Sequence, residues 1–295
     1  MTNLIVGATG LLGTEICRVL LEQGHAVRAL VRATSSPEKV ARLKDLGAAI
    51  VTGDLKDRAS LDAACRDVSV VVSTASATMS RQAGDSIATV DRQGQLDLVD
   101  AAEAAGVNRF VFTSFPTVDI EFPLQSAKRA VEERLRESGM TYTILQPTFF
   151  IEVWLSPALG FDTAAGNAQI YGSGENRTSW ISFQDVARFA ALAAITPEAK
   201  IGVIKLGGPE ALSSLEVVRL AEQTTGRQFV VQHVPEDVLR SQYEAAIDPL
   251  QKSFAALMLY NARGDAIDME APLRAFALQR LKTVREHLAA AASAV

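Results

Sequence analysis

The 295-residue chain has only three histidines, His25, His233 and His287, and two cysteines, Cys17 and Cys65. They are too few and too scattered for a zinc site. Each cysteine sits in a helical pattern among apolar neighbours and reads as a small buried hydrophobe. Nothing suggests disulfides, which fits a reducing cytoplasm. No segment reaches the roughly 18 uninterrupted apolar residues that a membrane span needs. The first apolar run opens at Leu4 with no basic stretch before it and meets Gly7 at once, which argues against a removable leader. No run of lysine or arginine stands out and the formal net charge is −5, so a nucleic-acid backbone is not an expected partner. What remains, at 48% hydrophobic and 21% charged, is an ordinary globular composition. The length suits one large α/β domain, or one domain with a smaller companion.

The first 150 residues alternate strand and helix patterns. Short apolar runs at Leu4–Val6, Ala26–Val31, Ala48–Val51, Val68–Val72, Phe110–Phe112 and Tyr142–Leu145 read as strands. Helical spacing fills Leu11–Gln23, Pro37–Leu46, Ser60–Arg66, Asp85–Ala105 and Leu124–Glu137. Continuous β-branched runs separated by helices indicate a buried parallel sheet, and right-handed crossovers make it doubly wound. The expected fold class is therefore α/β, a Rossmann sheet. After Pro147 the rhythm changes: 151–180 reads as a loop-rich excursion, and 181–208 returns to the sheet with a helix and the strand Gly202–Leu206. From residue 209 onward helices dominate, at Ser213–Thr225, Glu236–Ile247, Pro249–Asn261 and Leu273–Ala292, broken by one strand at Gln228–Gln232. The expected division is 1–150 with 181–208 as a dinucleotide-binding domain, and 151–180 with 209–295 as a smaller, mostly helical substrate domain. Nothing in the sequence specifies an oligomeric state.

Directly after the first strand comes Gly7-Ala8-Thr9-Gly10-Leu11-Leu12-Gly13, followed by a helix. Gly7 permits the tight turn, Gly10 lets a pyrophosphate approach the backbone, and Gly13 lets helix pack on sheet. The helix N-terminus then favours the anion. A glycine triplet alone is weak evidence, but its place between strand and helix is the context the motif requires. An NAD-binding chain usually carries an acid at the end of the second strand. This one reads Val27-Arg28-Ala29-Leu30-Val31-Arg32, with no carboxylate until Glu38. Arg32 can fork onto a 2′-phosphate, which favours NADP(H) over NAD(H); the alternative is a solvated surface charge. Asp54 closes the third strand within adenine range, and Ser73-Thr74-Ala75 closes the fourth.

These segments, with Arg109-Phe-Val-Phe-Thr-Ser, Tyr142-Thr-Ile-Leu-Gln-Pro-Thr-Phe-Phe and Gly207-Gly208-Pro209-Glu210-Ala211-Leu212-Ser213, resemble the NmrA-like branch of atypical short-chain dehydrogenases/reductases. The resemblance runs nearly end to end. It implies a cofactor track along Gly7, Thr9, Gly10, Leu11, Leu12, Gly13, Arg32, Asp54, Leu55, Ser73, Thr74, Ala75, Thr113, Ser114, Lys128, Pro147 and Phe150. It also implies an active cleft between the two domains. The branch contains NADPH-dependent reductases of phenolic and quinone compounds, and dinucleotide-binding regulators without known turnover.

Two departures stand out. Ordinary members use Tyr-x-x-x-Lys, but the helix here reads Leu124-Gln125-Ser126-Ala127-Lys128. The usual serine is also displaced, with Phe115 nearest its position. Lys128 matches the general acid/base lysine of isoflavone and phenolic-ether reductases; the alternatives are that it holds the nicotinamide ribose, or that it is a solvated helix charge beside Arg129, Glu132 and Glu133. An epimerase of the extended family needs the missing tyrosine and is disfavoured. Aromatics such as Phe115, Phe149, Trp154 and Trp180 are expected to wall a pocket for a flat aromatic or quinonoid substrate, or else to form interior core. The expected function is an NADPH-dependent oxidoreductase. The alternative is a non-catalytic redox sensor acting through a protein partner.

Overall fold

A computed structural model describes residues 1–80, 82–196 and 202–293. Six strands build most of its main sheet: β1 (Thr2–Val6), β2 (Ala26–Val31), β3 (Ala49–Thr52), β4 (Val70–Ser73), β5 (Arg109–Thr113) and β6 (Thr141–Pro147). The strand Gly202–Leu206 lies beyond β6, and the order across the sheet from there is β6-β5-β4-β1-β2-β3. The pairings among β1–β6 are parallel. The chain winds outward from β1 to β3, then returns to pair β4 against β1. The ends of β1 and β4 therefore form the point where the winding reverses, the place where such sheets bind ligands.

The helices α1 (Leu11–Glu22), α2 (Pro37–Asp45), α3 (Arg58–Ala64), α4 (Gln95–Ala104) and α5 (Pro123–Glu137) flank these strands in sequence. Val70-Val71-Val72 on β4 is wholly buried, as expected of a strand covered on both faces. Leu61, Leu98, Val99, Phe110, Phe112, Val131 and Leu135 bind β4 and β5 to helices α3, α4 and α5 in one core. The expected helix over Asp85–Ala105 is two elements. Ile87–Gly94 is a π-helical stretch that runs directly into α4. Ser86 caps it: its hydroxyl accepts from the Thr89 N–H at 3.1 Å, and the Thr89 hydroxyl accepts from the Ser86 N–H at 3.0 Å.

Residues 1–114, 123–146 and 186–204 form one compact unit; 115–122, 147–185 and the chain from 205 on form a second. The second has its own small sheet, with Asn167–Tyr171 between Val230–Val234 and Phe161–Asp162. The excursion at 151–180 is therefore not mainly loop. Its strands are two to five residues long, too short to show periodicity, and Gly166 (φ +69) turns the chain between two of them. The helices Ser214–Thr225, Glu236–Ala245 and Pro249–Arg263 follow the expected pattern. The expected helix Leu273–Ala292 is instead Glu270–Ala275 and Val284–Ser293, with Ala277 at φ +51 in the break.

Candidate functional site

The glycine turn has a different physical reason at each position. Gly7 leaves β1 at φ +87, and a Cβ there would lie 2.7 Å from Thr74 Oγ1 and 2.8 Å from the Ala75 nitrogen. The Gly10 N–H donates to the Gly7 carbonyl at 3.0 Å and closes the turn. Gly13 lies so close beneath it that a Cβ would sit 2.1 Å from the Gly7 oxygen. Gly10 itself is exposed, and an added Cβ would meet only the Gly7 oxygen, at 3.2 Å. No side chain caps the N-terminus of α1 and no acid stands in its first turn. Free N–H groups and an unopposed helix dipole there favour an anion. Thr9 is half-buried, Leu12 is buried beneath the turn, and Leu11 is 62% exposed at its mouth.

A second cluster surrounds Lys128. Helix α5 buries Leu124 and, one turn later, Lys128. The lysine Nζ donates to the Thr113 carbonyl at 3.2 Å, lies 4.8 Å above the Phe112 ring centre, and stands 3.9 Å from Asp91 Oδ1. Asp91 comes from the π-helical stretch, where its other oxygen accepts from the Ala77 N–H at 2.9 Å. Burial pushes Lys128 below the usual lysine range; Asp91 and Glu132 oppose that shift and Arg129 adds to it. Asp91 Oδ1 and the Thr113 hydroxyl are buried and make no hydrogen bond. Orphaned polar atoms are costly, so Asp91 Oδ1 beside the amine and the Thr113 hydroxyl at the end of β5 suit a ligand that brings its own hydroxyls.

The surrounding residues hold this centre still. The Ser73 hydroxyl donates to Gln95 Oε1 at 2.8 Å, and Gln95 Nε2 donates to the Ala75 carbonyl at 3.0 Å. Thr74 donates from its N–H to Val6 at 2.9 Å. Ser114 accepts from Arg129 at 2.8 Å, and burial lowers the proton affinity of that guanidinium. Leu55 is core, tight against Gly94.

Arg32 is ion-paired and partly exposed. It stands directly after β2 and donates to Asp85 Oδ2 at 2.6 Å. Lys56 donates to the second Asp85 oxygen and also stands 3.2 Å from Asp54. The Ser80 hydroxyl donates to Asp85 as well. Burial alone would raise the Asp85 pKa, but these bonds outweigh it and hold the carboxyl at about 2.

The aromatic residues fall in the second unit. Phe149 meets Trp154 edge-on at 4.6 Å between ring centres and Tyr260 at 4.8 Å. Trp180 is buried and donates from Nε1 to the Leu212 carbonyl at 2.9 Å. All of these belong to one hydrophobic cluster, with Trp154 only partly buried at its edge. Phe115 stacks on Phe122 with centres 5.8 Å apart. Pro147 ends β6, and half-buried Phe150 precedes the short helix Ile151–Trp154.

Sequence reasoning missed Asp85, Asp91, Lys56 and Arg129. Asp91 carried a readable signal, since it shares a buried face with Ile87, Val90 and Gly94. The partners of Arg32 carried none, because Asp85 lies 53 residues away.

Comparison with known proteins supplies relatives over the same length. The chain is 34% identical to a photosystem II assembly factor of Synechocystis sp. over 253 residues, 81% of this chain and 72% of the relative. It is 32% identical to an isoflavone reductase homolog of Zea mays over 285 residues, 90% of this chain and 88% of the relative. Among solved structures, an NADPH-dependent quinone oxidoreductase from Escherichia coli, complexed with NADPH, has the same fold. Its TM-score is 0.78 at 22% identity, over 99% of both chains. Because the profile of the NmrA-like family also matches residues 2–288, the chain belongs to that family.

Proposed function

We propose that the protein is an NADP(H)-dependent oxidoreductase that reduces a hydrophobic aromatic or quinonoid small molecule. The observation that carries this reading is the glycine turn: an uncapped helix N-terminus with open space over Gly10, at the reversal point of a parallel sheet. The orphaned oxygens of Asp91 and Thr113 fit the hydroxyls of a ribose. When bound, the nicotinamide supplies the hydride. The protein's part is to anchor the pyrophosphate on α1, hold the ribose at Lys128 and keep a proton on that amine. Asp91 favours the protonated amine against the effect of burial. The isoflavone reductase and quinone oxidoreductase likenesses support an aromatic substrate.

A second reading is a dinucleotide-binding factor without turnover. It draws on the assembly-factor relatives and on Leu124 at the position of the missing tyrosine. One measurement tests the dinucleotide site that both readings share, and a second separates them. Calorimetry should give NADPH binding at least tenfold tighter than NADH, about 1.4 kcal/mol. NADPH absorbance, followed against quinones, azo dyes and aromatic ketones, should fall with at least one of them. Binding without turnover across the panel favours the non-catalytic factor, and no binding of either dinucleotide refutes both readings.

A further inference from the structure

We propose that Asp85 is a cofactor-specificity residue: its carboxylate fills the anion position between Arg32 and Lys56 and has to give way before a 2′-phosphate is held there. This rests on the cofactor reading above and adds a residue that sets the margin between the two dinucleotides.

The argument begins with position. A guanidinium directly after β2 is where a 2′-phosphate is met in this class of sheet. Arg32 stands there, yet its guanidinium is given to Asp85. Each carboxylate oxygen has its own cation, Arg32 on one and Lys56 on the other, with the Ser80 hydroxyl as a third donor. Two cations and a hydroxyl gathered on one small anion is the donor set of a phosphate site. The exposures are unequal. The Asp85 side chain is 2% exposed, whereas those of Arg32 and Lys56 are 32% and 26% exposed. The cations can therefore be approached from solvent while the carboxylate already occupies the space between them.

Charge makes the consequence. Arg32 and Lys56 are balanced by Asp85 and by Asp54, which also contacts Lys56. A 2′-phosphate adds about two negative charges to a group that, among the described residues, is already neutral. The Asp85 carboxylate repels it at close range, and a phosphate that draws Arg32 Nη1 away leaves that nearly buried carboxylate with Lys56 and Ser80 alone. A 2′-hydroxyl makes no such demand. Asp85 thus lowers NADP(H) affinity selectively and leaves NAD(H) affinity unchanged.

The test is Asp85→Asn, with NADPH and NADH binding measured by calorimetry on the full-length protein. The expected result is NADPH binding at least tenfold tighter, with NADH changed less than threefold. Arg32→Ala should remove the NADPH preference, and in Arg32→Ala/Asp85→Asn the gain from the asparagine should vanish, because the coupling runs through the guanidinium. Ser80→Ala keeps every charge and removes one hydrogen bond from the carboxylate. It should shift NADPH affinity two- to fivefold in the same direction, and it carries the test if Asp85→Asn does not fold. If Asp85 instead accepts a hydrogen bond from a free ribose 2′-hydroxyl, Asp85→Asn will weaken NADH and spare NADPH, which overturns the proposal. Unchanged affinities for both also overturn it. A wild-type protein that binds neither dinucleotide overturns the cofactor reading itself, and is seen before any variant is made.

Discussion

Alanine at Gly10 and alanine at Gly13 separate binding from folding within one seven-residue turn. At Gly10 the backbone is extended (φ −83, ψ 167), open to any residue, and the new methyl meets only the Gly7 oxygen at 3.2 Å. A few tenths of an ångström relieve that contact. Alanine also restricts the unfolded chain, worth about 0.4–1 kcal/mol, so stability should change little. The methyl group, however, would stand in the space above the first turn of α1. A pyrophosphate oxygen must come within about 2.9 Å of those N–H groups. Loss of one or two hydrogen bonds to an ionised acceptor, at about 1.5–3 kcal/mol each, should weaken NADPH at least about tenfold. Gly13 is the reverse case. Its Cβ would sit 2.1 Å from the Gly7 oxygen and 2.7 Å from the Gly7 carbon. Optimal separation is about 3.5 Å or more, and both opposing atoms are backbone. Overpacking of this kind costs about 1–3 kcal/mol, or more when nothing can rotate away. Helix propensity returns about 1 kcal/mol for alanine over glycine. The net loss of about 2 kcal/mol should lower Tm by about 3 °C. Differential scanning calorimetry reads stability and isothermal titration reads affinity. Wild-type NADPH affinity in Gly10→Ala, or wild-type Tm in Gly13→Ala, would refute the geometry.

Lys128→Met should weaken cofactor binding by about 1–3 kcal/mol, the worth of hydrogen bonds from a charged donor. At saturating cofactor it should cut kcat by a further factor of about 10² or more; an unchanged kcat would assign the lysine to the ribose alone. Because burial lowers the proton affinity of Lys128, its charged form is lost as pH rises through a value below the ordinary 10.5. The wild-type kcat should therefore fall on the alkaline side below that pH, and the variant should lack the limb. Glu132 is 1% exposed and is held by Arg129 at 3.0 Å, Arg136 at 3.2 Å and Gln146 at 3.0 Å. Glu132→Ala should cost about 3 kcal/mol in urea denaturation, since it removes the buried carboxylate on which Arg129, Arg136 and Gln146 converge, and a loss under about 1 kcal/mol would contradict that network.

The main sheet was legible because a strand covered on both faces has to be a short apolar run, as Leu4-Ile5-Val6, Val70-Val71-Val72 and Phe110-Val111-Phe112 are. Strand ends fell within two residues of the structure, as at Ala48 against the observed Ala49. The second unit was harder for a physical reason. Phe161–Asp162 and Arg177–Thr178 are two residues each, so no alternation can develop. The π-helical stretch was hidden differently. Its buried residues Ile87, Val90, Asp91 and Gly94 continue into Leu98 of α4, and over one or two turns that spacing satisfies an ordinary helix equally well.

The site divides along the same line between local and non-local causes. Gly7, Gly10 and Gly13 were readable because each answers to a constraint within six residues, a positive φ, an open approach or a contact with the turn itself. The pairing of Arg32 with Asp85 depends on how the segment after β4 folds back, which no local rule encodes. Asp91 and Lys128 lie between these extremes. The buried face of α5 is Leu124, Ala127, Val131 and Leu135, with Lys128 among them; the buried face after Ser86 is Ile87, Val90 and Gly94, with Asp91 among them. A buried charge without a partner is too costly to keep. On α5 the other buried ion, Glu132, is already taken by Arg129, Arg136 and Gln146, so Lys128 on one face and Asp91 on the neighbouring one, opposite in sign, predict that the faces meet. The 3.9 Å separation of Lys128 and Asp91 agrees with that rule. It is longer than a hydrogen bond, and with Asp91 Oδ1 otherwise unbonded, both groups keep the bonding capacity that the proposed ribose contact calls for.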